Sequence, residues 1–144
     1  MTYELVNLLN ETIAIELGAS ISYMWQHVIL ESTVDPSLKD TFKDISIEKL
    51  KRGMALGERL ISLEGIPTTQ PSPVNIVSSL KEMIELDLKA ENDVISKFKE
   101  IIGLATKEKD ADTHLLCEKI LDEEEQLKRL LVCELGRLHT KLIK

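Results

Sequence analysis

Four long stretches of helix-period apolar residues, separated by only a few turn signals, constrain this chain more than any other feature. From about residue 3 to 31, Leu5, Leu8, Ile15, Ser22 and Trp25 mark one face, and Val6, Leu9, Ile13, Leu17 and Met24 the adjoining one. Neither face shows the alternation of a strand. Asp35-Pro36 supplies an N-cap and a first helical residue for a second stretch, about 36 to 64. Gly65 reads as its C-terminal stop, and GIPTTQPSP, residues 65–73, as a loop. Ser79 with Glu82 fits a capping box for a third stretch, about 79 to 105, with the stripe Leu80, Ile84, Leu88, Ile95, Phe98 and Ile102. Asp110 can cap a fourth, about 111 to 143, with the stripe Leu116, Ile120, Leu127, Leu131 and Leu138.

The expectation is an all-α antiparallel four-helix bundle forming one domain over residues 1–144. Short links make the first two helices, and the last two, antiparallel hairpins, and the longer link between second and third can cross the length of the bundle. Helices this long span roughly 40–48 Å. With 144 residues the chain can bury a full core without disulfide or metal. Only 6 Gly and 4 Pro interrupt a Leu-, Ile-, Glu- and Lys-rich composition, which agrees with helix.

Net charge is −7, which argues against a nucleic-acid partner, because that needs a basic face. No apolar run reaches the ~18 residues of a membrane span. The first ten residues lack the basic start and cleavage site of a secretory leader, so a cytoplasmic location is expected. Cys117 and Cys133 sit on one helix, roughly 24 Å of rise apart, and cannot pair within the chain. His114 and Cys117 have one-turn spacing, but two donors do not make a structural zinc site; a surface histidine and a core cysteine are expected.

Three carboxylates stand inside the stripes. Glu91 lies between Leu88 and Ile95, Glu124 between Ile120 and Leu127, and Glu11 between Leu8 and Ile15. One such Glu can reach solvent on its long side chain. Three on three helices suggest a shared interior site needing a cation, a metal or a proton. Asp87 is expected at an edge, and Tyr23, Trp25 and His27 packed at the end of the first helix.

These residues carry a resemblance. Asn10-Glu11, the run ERLISLEGIP at 58–67, the run EMIELDLKAE at 82–91 and the run ILDEEE at 120–125 resemble, in order, the four helices of bacterioferritin, a ferritin-like family. The resemblance implies a ferritin-like bundle with one long crossover and a role in iron binding, storage or homeostasis. It also implies a di-iron ferroxidase site built from a Glu on the first and third helices and a Glu-x-x-His pair on the second and fourth. Carried over by position, the metal ligands fall on Glu11, Glu91 and Glu124, all retained. Lys49 and Arg52 take the second-helix pair, and Leu127 takes the fourth-helix His. A slip of one residue would bring Glu48 near the site, but no histidine lies between His27 and His114. The family's haem methionine falls near Leu50, so no haem is expected.

The expected function is therefore a bacterioferritin-like protein whose di-iron centre is lost or impaired, leaning away from an enzyme. Glu11, Glu91 and Glu124 contribute −3 and Lys49 and Arg52 +2, so two side-chain cations can replace two metal ions. A ferrous ion ~6 Å from either cation would meet about 5–6 kcal/mol of repulsion at an effective dielectric of 20. Two alternatives stand beside this: a non-standard metal site at Glu11, Glu91 and Glu124, and a metal-free helical subunit serving interaction. A homo-oligomer, either a dimer or a larger shell, is expected by resemblance, with coassembly with active subunits as a further expectation. The family's short fifth helix has no counterpart before Lys144, which weakens the case for a large cage.

Overall fold

The computed structural model describes residues 3–143. Its four helices are α1 (Tyr3–Ile29), α2 (Pro36–Ser62), α3 (Leu80–Glu108) and α4 (Ala111–Ile143), with no strand among the described residues. Their starts follow the sequence signals. The Asp35 side chain accepts from Leu38 N–H at 3.0 Å, with Pro36 beginning the helix. Ser79 Oγ accepts from Glu82 N–H at 3.2 Å and donates to Glu82 Oε1 at 2.8 Å. The Asp110 side chain accepts from Thr113 N–H at 3.1 Å.

The ends differ from expectation by two or three residues. α1 and α2 stop two residues earlier, and α3 runs three further, to a left-handed Lys109 at φ 60°. The left-handed residue after α2 is Glu64, at φ 64°, rather than Gly65. Gly65 is needed for space: a Cβ there would lie 2.8 Å from Leu60 Cδ1 and 3.0 Å from Val6 Cγ1. The turn closes with Gly65 N–H on Leu60 O and Glu64 N–H on Ile61 O, the two bonds of a Schellman cap.

Contacts fix the helix directions. Ser20 meets Ser46 and His27 meets Lys39, so α1 and α2 are antiparallel. Gln26 meets Asp87 and Glu11 meets Lys97, so α1 and α3 are antiparallel. Lys99 meets Glu125, and Thr106 meets His114, so α3 and α4 are antiparallel. α2 and α3 therefore run parallel, and residues 63–79 must traverse the bundle to join them.

This crossover follows a track of residues four apart on α1. Asn10 holds it with both ends of its amide, donating to Ile66 O and accepting from Thr68 N–H, each at 2.9 Å. Ser72 N–H donates to Ala14 O at 2.9 Å. At Gly18 a Cβ would sit 2.7 Å from Ser72 O, so the main chains approach only because the side chain is absent. Further along, Val74 and Val77 lie beside Ser22, Trp25 and Ile29. Trp25, expected to pack at the end of the first helix, remains 42% exposed; the interior face at this level belongs to Tyr23 and Gln26.

Two apolar clusters fill the core. One gathers Leu5, Leu9, Ile13, Leu56, Leu60, Phe98, Cys117 and Ile120. The other gathers Tyr23, Phe42, Ile45, Met83, Ile84, Leu127 and Leu131. Between them lies a polar layer. No described helix is long and apolar enough to cross a membrane.

Candidate functional site

Lys49 is the centre of the polar layer. It lies on the α2 face formed by Phe42, Ile45, Ser46, Lys49, Gly53, Leu56 and Leu60, every one buried. Its side chain is 1% exposed. Nζ reaches Glu16 Oε1 of α1 at 3.1 Å and Glu124 Oε2 of α4 at 2.6 Å, and pairs closely with Glu91 Oε1 of α3. An ammonium has three N–H donors, and three carboxylates surround this one. One side chain on α2 thus joins the other three helices at a single point.

Arg52 lies one turn later and faces the same way. Its Nη1 donates to Glu124 Oε1 at 2.7 Å and its Nε to Glu123 Oε1 at 3.2 Å. Both oxygens of Glu124 are engaged, Lys49 on one and Arg52 on the other. Burial alone would raise its pKa, but the charge of Lys49, the neighbouring Glu91 and the charge of Arg52 bring it down to about 2. Burial pushes Glu16 up to about 8 and Glu91 up to about 9, against the pull of Lys49. Burial also works against the charge on Lys49, but Glu16, Glu124 and Glu91 outweigh it and hold the ammonium well above its ordinary range. Lys49 and Arg52 hold Glu124 ionised, while burial draws Glu16 and Glu91 toward their protonated forms. Both effects keep the net charge of the layer low, which is what a site between two apolar clusters requires.

Asp87, expected at an edge, is buried one turn before Glu91 and accepts from Gln26 Nε2 at 2.7 Å. Burial raises its carboxyl to about 7. Tyr23 packs beside this pair, its ring centroid 5.9 Å from that of Phe42.

Of the sequence-derived positions, the structure brings Glu91, Glu124, Lys49 and Arg52 together and leaves Glu11 out. Glu11 is on the surface, paired with Lys97 at 3.0 Å, its side chain 58% exposed. The first-helix carboxylate of the layer is Glu16. Leu8 and Ile15, which framed Glu11, only flank the core. The buried face of α1 is Leu5, Leu9, Thr12, Ile13, Glu16, Ser20 and Tyr23. Glu16 fits that stripe, three after Ile13 and seven before Tyr23, and this spacing could have identified it. The three-carboxylate site expected at Glu11, Glu91 and Glu124 does not assemble. Glu48 is on the surface near Lys51, so a register slip does not bring it inward. Leu127 lies in the second apolar cluster.

These residues do not fit a di-iron group. The central position among the carboxylates is taken by an ammonium, Arg52 adds a second fixed cation, and Leu127 has no donor atom. With the Lys49 ammonium in place, no group of three or more His, Cys, Asp or Glu among the described residues stands ready to hold a metal ion. Leu50, onto which the resemblance carries the family's haem methionine, is exposed on α2. His114 is near Thr106 and Glu118 on the surface, while Cys117 is in the core, where burial raises its thiol to about 12.

The family description "Ferritin-like domain" matches residues 6–138. The bacterioferritin of Brucella melitensis is 31% identical over 123 residues, spanning 85% of this chain and 76% of that protein. The bacterioferritin of Mycobacterium leprae is 27% identical over 124 residues, spanning 85% and 78%. Among solved structures, a Rhodobacter capsulatus bacterioferritin described with a metal-free dinuclear site and haem iron superposes with a TM-score of 0.91. It has 22% identity and covers 99% of this chain and 89% of that one.

Proposed function

The chain belongs to the ferritin-like family and resembles bacterioferritin, and from that premise we propose that it serves iron handling as a bundle subunit with no ferroxidase centre of its own. The observation that carries this reading is the Lys49 ammonium enclosed by Glu16, Glu91 and Glu124. A ferrous ion entering this layer would have to displace a charged side chain held by three carboxylates, with Arg52 still in place. No imidazole is at hand to complete its coordination. The test is anaerobic loading with ferrous iron, followed by elemental analysis and oxygen uptake in the same sample. We expect no iron in the bundle and no oxygen consumption above a protein-free control. Two irons per chain with rapid oxidation would overturn the reading.

We further propose that the subunit self-associates in the cytoplasm. Ile47, Leu50, Met54 and Ile61 are exposed along one side of α2, and Met24 and Val28 are exposed on α1. Apolar exposure of this extent commonly marks a contact surface. Lys43 and Glu58 lie near opposite ends of the stripe. An antiparallel copy would set each opposite the other's counterpart, as a two-fold interface requires. Coassembly with active ferritin-like subunits would use the same face. The charge-filled interior also favours a second reading, a metal-free subunit whose role is interaction. It predicts a specific protein partner and an assembly unchanged by iron.

A further inference from the structure

We propose that Lys49 is a tethered counter-ion that takes over the structural role of a bound metal: its ammonium holds four helices at one point, and the carboxylate cage around it remains competent to take a free cation once the side chain is cut back. This rests on the reading above that the bundle has no di-iron centre.

Glu16, Glu91 and Glu124 are each no more than 1% exposed. Carboxylates enclosed this fully need a cation or a proton. Among the described side chains, Lys49 is the cation that pairs with all three, since Arg52 pairs only with Glu124 of the three. The carboxylates come from α1, α3 and α4 and meet between two apolar clusters, so the cation they share also sets the helix spacing there. Seen from Nζ, the cage is built wholly of oxygen, the donor set that hard divalent ions and ammonium ions accept. A metal that bridges helices dissociates, and the stability it confers varies with its concentration. A lysine cannot leave, so a bundle held this way should not respond to metal or chelator.

The test is thermal unfolding of the full chain, its Lys49→Met variant and its Lys49→Ala variant, each in EDTA, in manganese chloride and in ethylammonium chloride. The unaltered chain is expected to unfold at one midpoint in all three. Lys49→Met keeps the bulk and removes the charge, and its midpoint should fall by about 10 °C without responding to either cation. Lys49→Ala empties the cage, and manganese or ethylammonium should raise its midpoint again. If that variant purifies unfolded, either cation should refold it. A Lys49→Met variant as stable as the unaltered chain, or a Lys49→Ala variant that neither cation restores, would overturn the counter-ion role. Manganese keeps this readout separate from ferrous oxidation. Oxidation by the unaltered chain would overturn the functional reading alone, and unresponsive Lys49 variants the counter-ion role alone.

Discussion

Two glutamates five residues apart on α1 have opposite fates, and the difference is one of angle. Glu16 shares the face of Ile13 and Tyr23, and Glu11 does not. Glu11→Ala should therefore change unfolding free energy by no more than about 0.5 kcal/mol, as at other surface positions. Within the layer the carboxylates are also unequal. Lys49 and Arg52 hold Glu124 ionised, whereas burial draws Glu16 toward its protonated form. Glu16→Gln, which keeps shape and neutrality, is expected to cost less than about 1.5 kcal/mol. Glu124→Gln leaves two buried cations short of a partner and should cost about 3–5 kcal/mol. Urea denaturation of the three variants checks this order, and equal losses at Glu16 and Glu124 would contradict it. Glu91 and Glu124 were legible in the sequence because each falls within an apolar stripe, and Lys49 and Arg52 because the family resemblance carries its second-helix pair onto them. Glu16 is harder to read because the apolar residues of α1 fall on two adjoining faces, and Leu8 and Ile15, which frame Glu11, belong to the half-buried one.

At the scale of elements, the helices were legible because caps and prolines are local signals, while the ends of α2 and α3 drifted where left-handed residues other than glycine close the turn. Glu64 and Lys109 fill positions that glycine usually takes, and no sequence pattern marks them. The path of the crossover was also hidden, because it depends on the fit of one loop against α1. Gly18 tests that fit. In an isolated helix, Gly→Ala would gain about 0.8–1 kcal/mol. Here the new Cβ would meet the main-chain oxygen of Ser72, which cannot rotate away. Gly18→Ala is therefore expected to destabilise by about 1–3 kcal/mol, the usual scale of overpacking. A stabilised variant in calorimetry would show that the crossover yields. On α2, Leu50→Glu and Met54→Glu should shift the protein toward monomer in sedimentation while leaving its helicity unchanged. An unaltered sedimentation profile would exclude this face as the contact.

For the whole molecule, the polar layer links stability to pH. Asp87, Glu16 and Glu91 bind protons more tightly folded than unfolded, with folded values of about 7, 8 and 9 against ordinary values of 3.8 and 4.5. Their contribution is complete below about pH 4 and declines as pH rises through 7 to 9. Glu124 acts in the opposite sense, its contribution being lost as pH falls from 4.5 toward 2. The melting temperature should therefore be highest in mild acid, fall steadily toward pH 9 and fall again below pH 4. A midpoint rising from pH 6 to pH 9 would contradict the protonation states assigned here. The four-helix architecture was legible from periodicity, and the family from motifs spread along the whole chain. The neutral balance of the layer was not, because it depends on which carboxylates burial protonates and on Glu123 joining Arg52 at the rim. The central claim, that a side-chain cation fills the middle of the bundle, is tested most directly by crystals soaked in ferrous or manganous salt and measured for anomalous scattering. The account predicts no anomalous peak within the layer, with Lys49 Nζ among Glu16, Glu91 and Glu124. A metal peak between Glu91 and Glu124, with Lys49 turned outward, would contradict it.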